Sequence, residues 1–519
     1  MSTESSAQAL AADAAARLEA LDPRRSLLLQ APAGSGKTTV LTCRYLALLA
    51  VVDEPEQILA ITFTRKAAAE MRGRVLKALR EAAAGGKPGL ETAHALAALA
   101  QGARRGWALL ESPVRLRIQT IDALNHLLAR ALPVTARGGA ALEIALPATP
   151  LYQRAARQSL RAALADAGSA AATERVFARL DNRWQRLEGL LSEMLARRSH
   201  WLPHVLGSSD PQLLERVAAS VRSIIAAQLL KVCAALPAPL LAEALVLMRH
   251  AYGAAAVPEA ALGSAPADLP CWRLLCELAL TQENSWRQQY TKRQGFATDA
   301  PAMKARVLAW NQALRAVPGL RELLVALRAL PDAALGAEEA DTLAALSVLL
   351  RRAAAELQLV FAERGRVDYT WVAACARQAL LSDGEPTDLA LRFGEAITHV
   401  LVDEFQDTSV EQFALLEALT IGWQAGDGRT LFAVGDPMQS IYQFREAEVG
   451  LFLQARARGV GALALEPLAL RRNFRSAPEL VNWVNASFET LFPAADDSRL
   501  AAVRYLESVA ARTERSGAV

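Results

Sequence analysis

The sequence predicts an α/β fold in which a parallel sheet is interrupted by a large all-helical insertion. Three observations indicate it. Near the start, short apolar runs alternate with helix-forming stretches, as in parallel strands joined by helices. The middle of the chain is rich in Ala, Leu and Arg, with a hydrophobic period typical of helices. After about residue 366, apolar runs return, and they end in acidic residues.

Length and composition restrict the class of protein. At 519 residues, with 52% hydrophobic and 21% charged residues, the chain is expected to be globular with several domains. A net charge of +3 permits nucleic-acid binding, which would then need a locally basic surface. The five cysteines form no CxxC pair, which favours a reduced intracellular protein. No signal peptide or uncharged apolar run of about 18 residues is found, so we expect a cytoplasmic protein without a membrane span.

Residues 1–132 are predicted to begin the sheet. "SLLLQ" (26–30) is a short apolar run, followed by a glycine-rich turn and a helical pattern. "QILAITFT" (57–64) is rich in β-branched residues, and a strong helix former follows it. This order of strand, turn, helix, strand and helix predicts a parallel sheet.

The rest of the chain is divided by its change of pattern. Residues 133–365 show helical stripes without strand-like runs, which predicts a helical insertion domain. Residues 366–462 resume the α/β pattern with "ITHVLVDE" and "RTLFAVGD", which read as buried parallel strands. The run "LALEPLAL" is expected to begin another domain, over residues 463–519.

The stretch "SLLLQAPAGSGKTTVL" follows the pattern G-x-x-x-x-G-K-[ST], with Ala31 in the first glycine position. Small residues let backbone N–H groups surround a phosphate, and the helix that follows adds positive potential. Lys37 would reach the β- and γ-phosphates, and the Thr38 hydroxyl would bind Mg²⁺. The alternative is a glycine-rich turn that merely starts a helix. The predicted nucleotide-binding residues are Ala33, Gly34, Ser35, Gly36, Lys37, Thr38 and Thr39.

The stretch "ITHVLVDEFQDTS" (397–409) places carboxylates at the end of an apolar run. Asp403 is predicted to hold Mg²⁺ and Glu404 to activate the attacking water. Neighbouring side chains on an extended strand point in opposite directions, so both can serve one site only if the chain turns there. The alternative is a solvated acidic strand end.

Five further motifs carry a resemblance to a known family. "VLVDEFQDTSVEQ" resembles motif II of the UvrD/Rep group of superfamily 1 DNA helicases, and "TLFAVGDPMQSIYQFREAE" resembles motif III. "LRRNFRS" is similar to motif IV, "ITFTRKAAAEMRGRV" to motif Ia and "RIQTIDALNHLLAR" to motif Ib. The motifs occur in the family's order within residues 1–132 and 395–476.

The resemblance implies an ATPase with Mg²⁺ as its metal ion. Residues 1–132 and 366–462 would be two segments of one RecA-like domain, and residues 463–519 the incomplete start of a second. Gln439 would sense the γ-phosphate, and Arg475 would contact it from that second domain. A guanidinium suits this task because it stabilises charge on the transferring phosphoryl oxygens.

The resemblance also implies contacts with DNA. Phe63 and Phe444 match positions that stack on bases, a mode of binding that does not read sequence. For any single Phe, core packing is the alternative. Arg65 and Lys66 would either meet phosphates or be solvated. The remaining predicted DNA-binding residues are Thr62, Thr64 and Thr120, with Tyr442 and Arg445 coupling DNA to the ATP site.

Lys37 and Asp403 lie 366 positions apart (403 − 37), farther than in compact family members. Such a large insertion resembles the RecB and AddA helicase–nuclease subunits. It implies an ATP-dependent 3′-to-5′ helicase of DNA repair or recombination, acting on single-stranded and duplex DNA beside a nuclease-bearing partner subunit. The alternatives are a stand-alone UvrD-like repair helicase and an ATP-binding, DNA-binding scaffold without motor activity.

Three departures from the family pattern qualify these expectations. The family's adenine-reading glutamine has no match, because Ala16 and Arg17 stand near its place and Gln8 is too early. Asp122 replaces a histidine of motif Ib. Motifs V and VI and a nuclease domain are not found before Val519, which predicts a fragment that hydrolyses ATP poorly.

Overall fold

The computed structural model describes residues 3–131, 143–207, 210–257, 262–296, 301–382, 384–441, 447–498 and 501–511, with side chains from residue 8 onward. The chain divides into two compact units. The first comprises Met1–Pro150 and Val360–Val519, and the second comprises Leu151–Leu359.

The strands are short, as is usual for an α/β protein. In chain order they are β1 (Leu27–Gln30), β2 (Ile58–Thr62), β3 (Arg117–Thr120), β4 (Glu143–Ile144), β5 (Arg366–Val367), β6 (Leu381–Ser382), β7 (Glu385–Pro386), β8 (His399–Val402), β9 (Thr430–Gly435), β10 (Glu466–Ala469), β11 (Arg472–Asn473) and β12 (Val509–Ala510).

Helices make up most of the described chain. They are α1 (Thr3–Glu19), α2 (Lys37–Leu49), α3 (Arg65–Ala83), α4 (Leu90–Arg105), α5 (Ile121–Ala131), α6 (Thr149–Ala165), α7 (Ala167–Arg179), α8 (Trp184–Ala196), α9 (Arg198–Leu206), α10 (Asp210–Ala235), α11 (Ala238–Tyr252), α12 (Leu269–Ala279), α13 (Pro301–Arg315), α14 (Leu320–Arg328), α15 (Ala337–Arg364), α16 (Tyr369–Leu380), α17 (Asp388–Ala396), α18 (Val410–Leu419), α19 (Val449–Arg458) and α20 (Pro478–Leu491).

The first unit is built on a parallel sheet of six strands in the order β10-β1-β9-β8-β2-β3. Its central strands are continuous apolar runs because helices cover both faces. Along β1 the side chains alternate between two cores. Leu27 and Leu29 pack in the core that contains α2, α3 and α4, whereas Leu28 packs in the core that contains α16, α18 and α19. The predicted α/β class with a parallel sheet is confirmed.

The second unit is helical, as the sequence predicts for the insertion. Within the described part of residues 151–359, the β-pairing is one isolated bridge between Leu280 and Trp286. Its core gathers apolar side chains from α10 to α14, with Trp272 fully buried. Among the described residues, α10 is the one helix long and apolar enough to cross a membrane by length and composition. Its residues Ile225 and Leu229 pack in the same core as Trp272, which a helix of a globular domain also explains.

The first strand of residues 463–519 lies in the first sheet, whereas the sequence predicts that it begins a second domain. The first strand of that stretch, β10, pairs in parallel with β1, with Leu468 opposite Leu29. It therefore completes the first sheet. An apolar run reports that a strand is buried but carries no information about which sheet it joins. The pair β11–β12 and the helix α20 follow it.

Candidate nucleotide-binding site

The phosphate loop connects the end of β1 to the first residue of α2. Gly34 and Gly36 have φ angles of +76° and +79°, a left-handed conformation that favours glycine. Gly36 is the residue before the helix, and α2 begins at Lys37. The free N–H groups and the positive end of the helix dipole therefore face the loop, which is the arrangement that binds phosphate.

All the predicted nucleotide-binding residues, 33–39, lie in this loop and in the first turn of α2. Ser35 is 1% exposed, and its hydroxyl oxygen has no hydrogen-bond partner among the described residues. The Thr38 side chain is half-buried beside the loop, whereas Thr39 is exposed. The residues present thus fit a polyphosphate.

Two acidic residues follow β8 at the point where the chain turns. The strand ends at Val402, and the Asp403 N–H still donates to the Ile61 carbonyl (2.9 Å). Glu404 then adopts φ +52°, the left-handed region that costs a residue with a Cβ about 1–2 kcal/mol. The chain therefore turns between the two carboxylates, which is the condition for both side chains to serve one site.

Lys37 reaches across to both acids. Its Nζ lies 3.9 Å from Asp403 Oδ1 and donates a hydrogen bond to Glu404 Oε2. The Lys37 and Asp403 side chains are 19% and 15% exposed, so solvent weakens this attraction less than at the open surface. The structure thus brings together the phosphate-loop lysine, the predicted Mg²⁺ ligand and the predicted water-activating group.

Burial disfavours the charged form of the acids around this point. It raises the pKa of Asp403 to about 6; Lys37 opposes the shift and Glu404 adds to it. Burial also raises the pKa of Asp407 and of Asp436. A cation bound among these carboxylates would favour their charged forms.

A metal ion here would depend on the nucleotide for most of its ligands. Within the described ranges, no group of three or more His, Cys, Asp or Glu side chains could hold a metal. Asp403 and Thr38 could supply two oxygen ligands. That donor set fits Mg²⁺, which is usually held by one or two protein oxygens together with water and phosphate oxygens.

Gln406 joins the ends of β8 and β9. Its Nε2 donates to Glu404 Oε2 (2.9 Å) and Asp407 Oδ2 (3.2 Å), and its Oε1 accepts from the Asp436 N–H (2.9 Å). Gln406 is 3% exposed and Asp436 2%. Asp436 was not predicted as a site residue from the sequence, although Asp436, like Asp403, follows a buried apolar run.

Gln439, the predicted γ-phosphate sensor, lies on the turn after β9. Its amide donates to Asp436 Oδ2. Gln439 and Ala33 of the phosphate loop line one cavity of about 230 Å³, together with Asn473. The structure therefore places this residue beside the loop.

Arg475 also lies against the loop. It is exposed, and its Cβ is 2.9 Å from the position that a Cβ on Gly34 would occupy. The Arg475 N–H donates to Asn473 Oδ1 (2.8 Å), and the Asn473 amide donates to the Ala33 carbonyl (3.3 Å). Asn473 was not predicted as a site residue.

The predicted DNA contacts of the first unit share one edge of the sheet. Thr62 and Thr120 pair at the ends of β2 and β3. Thr62 is fully buried, Thr120 is 8% exposed, and Phe63 and Thr64 are half-buried. The carboxyl ends of parallel strands are where ligands of open α/β sheets bind. Tyr442, Phe444 and Arg445 lie outside the described residues.

The threonine hydroxyls also have structural roles. Thr64 Oγ1 accepts from the Ala67 N–H (3.0 Å) and so caps α3. Thr120 Oγ1 accepts from the Ala123 N–H (3.2 Å) at the start of α5. Such caps stabilise a helix by about 1 kcal/mol. Helix capping alone explains the presence of threonine at these two positions. A contact with a DNA strand would be an additional role.

Comparison with known proteins points to one family. Residues 12–131 and 247–458 match the family described as UvrD/REP helicase N-terminal domain. Three similar relatives each carry a name that describes one subunit of an ATP-dependent helicase/nuclease. That of Desulfitobacterium hafniense is 27% identical over 534 residues, covering 91% of this chain and 35% of the relative. That of Moorella thermoacetica is 28% identical over 538 residues, covering 92% and 34%. That of Exiguobacterium sibiricum is 38% identical over 133 residues, covering 26% and 11%.

The chain spans about a third of the length of the relatives that it matches from end to end. The family match extends over well more than half of the chain, on both sides of the insertion. It includes the phosphate loop, the acids after β8 and the turn after β9, where the structure assembles one site. The chain belongs to the UvrD/REP helicase family.

Proposed function

We propose that this chain binds ATP with Mg²⁺ and couples its hydrolysis to 3′-to-5′ movement on single-stranded DNA. The observation that carries the proposal is the meeting of Lys37 with Asp403 and Glu404. Family membership supports a helicase, and the name of the relatives supports the helicase part of a helicase–nuclease in DNA repair or recombination. The word "subunit" in that name supports a nuclease-bearing partner.

The contacts of Lys37 suggest how nucleotide binding prepares catalysis. Glu404 accepts a hydrogen bond from Lys37 in the structure. When ATP binds, Lys37 would bind the β- and γ-phosphates in place of Glu404. The Glu404 carboxylate would then be free to orient the attacking water and accept its proton. Thr38 and Asp403 would hold Mg²⁺, which neutralises charge on the phosphates when bound. Gln439 and Arg475 would contact the γ-phosphate.

The cysteines support the proposed compartment. All five lie in the described ranges, and each is free. Burial raises the pKa of Cys43 and of Cys375 to about 11, so these thiols stay protonated and unreactive. Free cysteines support a reducing compartment, and we place the activity in the cytoplasm.

The first test is ATP hydrolysis with and without single-stranded DNA, measured on a protein that also carries motifs V and VI, because hydrolysis without them is expected to be poor. We expect DNA to stimulate hydrolysis, and we expect Glu404→Gln to bind ATP yet fail to turn it over. Glu417→Gln on α18 is the matched control and should behave as wild type. Unchanged turnover in Glu404→Gln would remove the role proposed for Glu404. Absence of any DNA stimulation would favour the scaffold over the motor.

The DNA surface has a test of its own. Phe63→Ala should weaken the affinity for single-stranded DNA by about 1–3 kcal/mol, the contribution of one stacked base. Fluorescence anisotropy with a labelled oligonucleotide measures it, and the melting temperature checks the fold. An unchanged affinity in a stably folded variant would assign Phe63 to core packing.

A further inference from the structure

Three successive carbonyl groups of the phosphate loop are held from outside the loop. The bonds run from Asn473 Nδ2 to Ala33 O (3.3 Å), from Phe474 N to Gly34 O (2.8 Å) and from Arg17 Nη2 to Ser35 O (2.6 Å). The donors come from α1 and from the segment after β10. None of these contacts belongs to the strand–loop–helix unit itself.

Holding the carbonyls has a consequence for the N–H groups. In a trans peptide the C=O and N–H of one unit point in opposite directions. Carbonyls fixed on the outer side therefore turn the N–H groups of Gly34 and Gly36 towards the inner side, where a phosphate would lie. The N–H between them, on Ser35, donates to the Pro32 carbonyl (3.1 Å) and keeps the loop tightly turned.

Asp13 joins the outside donors into one assembly. It is 2% exposed, and its Oδ2 accepts from Arg17 Nε (2.6 Å). Its Oδ1 accepts from the N–H groups of Arg471 (2.7 Å) and Arg472 (3.0 Å). Burial raises the pKa of Asp13, but the hydrogen bonds from Arg17 and the two N–H groups outweigh it and hold this pKa below the usual value. Asp13 therefore stays charged and ties Arg17 to the segment that carries Asn473.

The loop and this segment fit closely. A Cβ on Gly34 would lie 2.6 Å from Asn473 Oδ1, so no side chain fits there. Near Gly36, the Arg17 guanidinium lies 5.1 Å from the centroid of the Phe474 ring. We name the group formed by Asp13, Arg17, Asn473 and the backbone of Phe474 the outer clamp.

We propose that Asp13 and Arg17 are positioning residues of the nucleotide site, which preset the phosphate loop through the outer clamp. They act on the backbone of the loop and touch no phosphate. The inference rests on the proposed function, because it takes the loop as the ATP site. It predicts that they raise the affinity for any polyphosphate, whatever base it carries.

The test compares two probes by calorimetry: ATP with Mg²⁺, and inorganic tripolyphosphate with Mg²⁺. Arg17→Ala should weaken both by the same factor, about tenfold, the loss of a hydrogen bond made by a charged group. Arg17→Lys should recover only part of the affinity, since lysine keeps the charge but lacks the fixed fork in which Nε meets Asp13 and Nη2 meets the Ser35 carbonyl. Asp13→Asn should fall between, because its oxygen still accepts from the two N–H groups. Arg24→Ala is the control, since Arg24 pairs with Asp22 at the surface.

The possible results distinguish positioning of the loop by the outer clamp from the alternative explanations. Hydrogen exchange in Arg17→Ala should rise more at the loop amides than in the other strands of the first sheet, which separates a local release of the loop from a general loss of stability. Weaker ATP binding with unchanged tripolyphosphate binding would make Arg17 a base-reading residue and overturn the proposal. Unchanged binding of both probes would overturn it as well. A wild-type protein that binds both probes but shows no DNA-stimulated hydrolysis would remove the motor and leave the clamp standing.

Discussion

Gln406→Glu is a nearly isosteric change that should disable the site by charge alone. Glutamate keeps the oxygen that accepts from the Asp436 N–H, but it replaces an amide that donates to Glu404 and Asp407 at 2.9 and 3.2 Å. Two carboxylates about 3 Å apart at an effective dielectric constant of about 20 repel by about 5 kcal/mol. Protonating one carboxyl of ordinary pKa costs about 4 kcal/mol at pH 7 and about 1 kcal/mol at pH 5. Protonation costs less than the repulsion, so one carboxyl of the folded variant should be protonated at both pH values.

The variant should therefore be destabilised by about 4 kcal/mol at pH 7 and by about 1 kcal/mol at pH 5. Hydrogen exchange of the peptides that contain β8 and β9 measures this in the first unit alone. Gln412→Glu is the matched control, because Gln412 accepts from the Ser409 N–H (3.1 Å) in a capping box where glutamate serves equally well. It should be neutral at both pH values.

The pH dependence of the loss of stability, more than its size, is the decisive result. A loss of stability in Gln406→Glu that is equal at both pH values would show that packing, and not charge, sets the cost. A loss below about 1 kcal/mol at pH 7 would show that the three side chains do not share one buried volume. Either result would refute the account of Gln406 as the donor that keeps Glu404 and Asp407 apart.

Three further changes test other parts of the first unit. Burial, with help from the charge of Arg44, lowers the pKa of His399 from 6.5 to about 4. The folded state keeps this histidine neutral, so stability is full above about pH 6.5 and falls as pH drops towards 4. His399→Asn should remove up to about 3 kcal/mol of this acid-induced loss in the free energy of unfolding, measured by urea titration. Gly435→Ala should collide with Gln406 and lower both the melting temperature and ATP affinity, costing about 1–3 kcal/mol. Arg44→Met should lower the melting temperature, because the carbonyls that it binds, including that of Arg25 (2.8 Å), lose a buried donor worth about 1–3 kcal/mol.

The parts of the site that the sequence predicts are those whose chemistry is local. The phosphate loop lies within eight consecutive residues, 31–38, between an apolar run and a helix, so its shape follows from neighbours along the chain. The turn at Glu404 follows from a geometric requirement on two adjacent acids. The roles of Asp403, Glu404 and the DNA-binding residues stay predictions, and those of Tyr442, Phe444 and Arg445 have no structural account.

What the sequence leaves open depends on contacts between distant residues. The bond from Asn473 to Ala33 spans 440 positions, and no local pattern marks either residue as its partner. Arg17 stands out in the sequence as a departure from a family pattern, but its bond to the Ser35 carbonyl needs α1 folded against the loop. Strand β10 was misassigned for the same reason: pairing is a property of two strands, whereas hydrophobicity is a property of one.

The position of β10 beside β1 brings the phosphate loop into direct contact with the segment that follows β10. The two strands are parallel, so their carboxyl ends lie side by side. The phosphate loop follows one of these ends, and residues 470–476 follow the other. A shift of the loop towards residues 470–476 would have to displace them, because Gly34 and Asn473 are in close contact. Two residues beyond Ser476 the chain enters α20, whose outer side exposes Trp483 and Leu491. The conformation of the loop is thus tied, through half a dozen residues, to the position at which α20 begins.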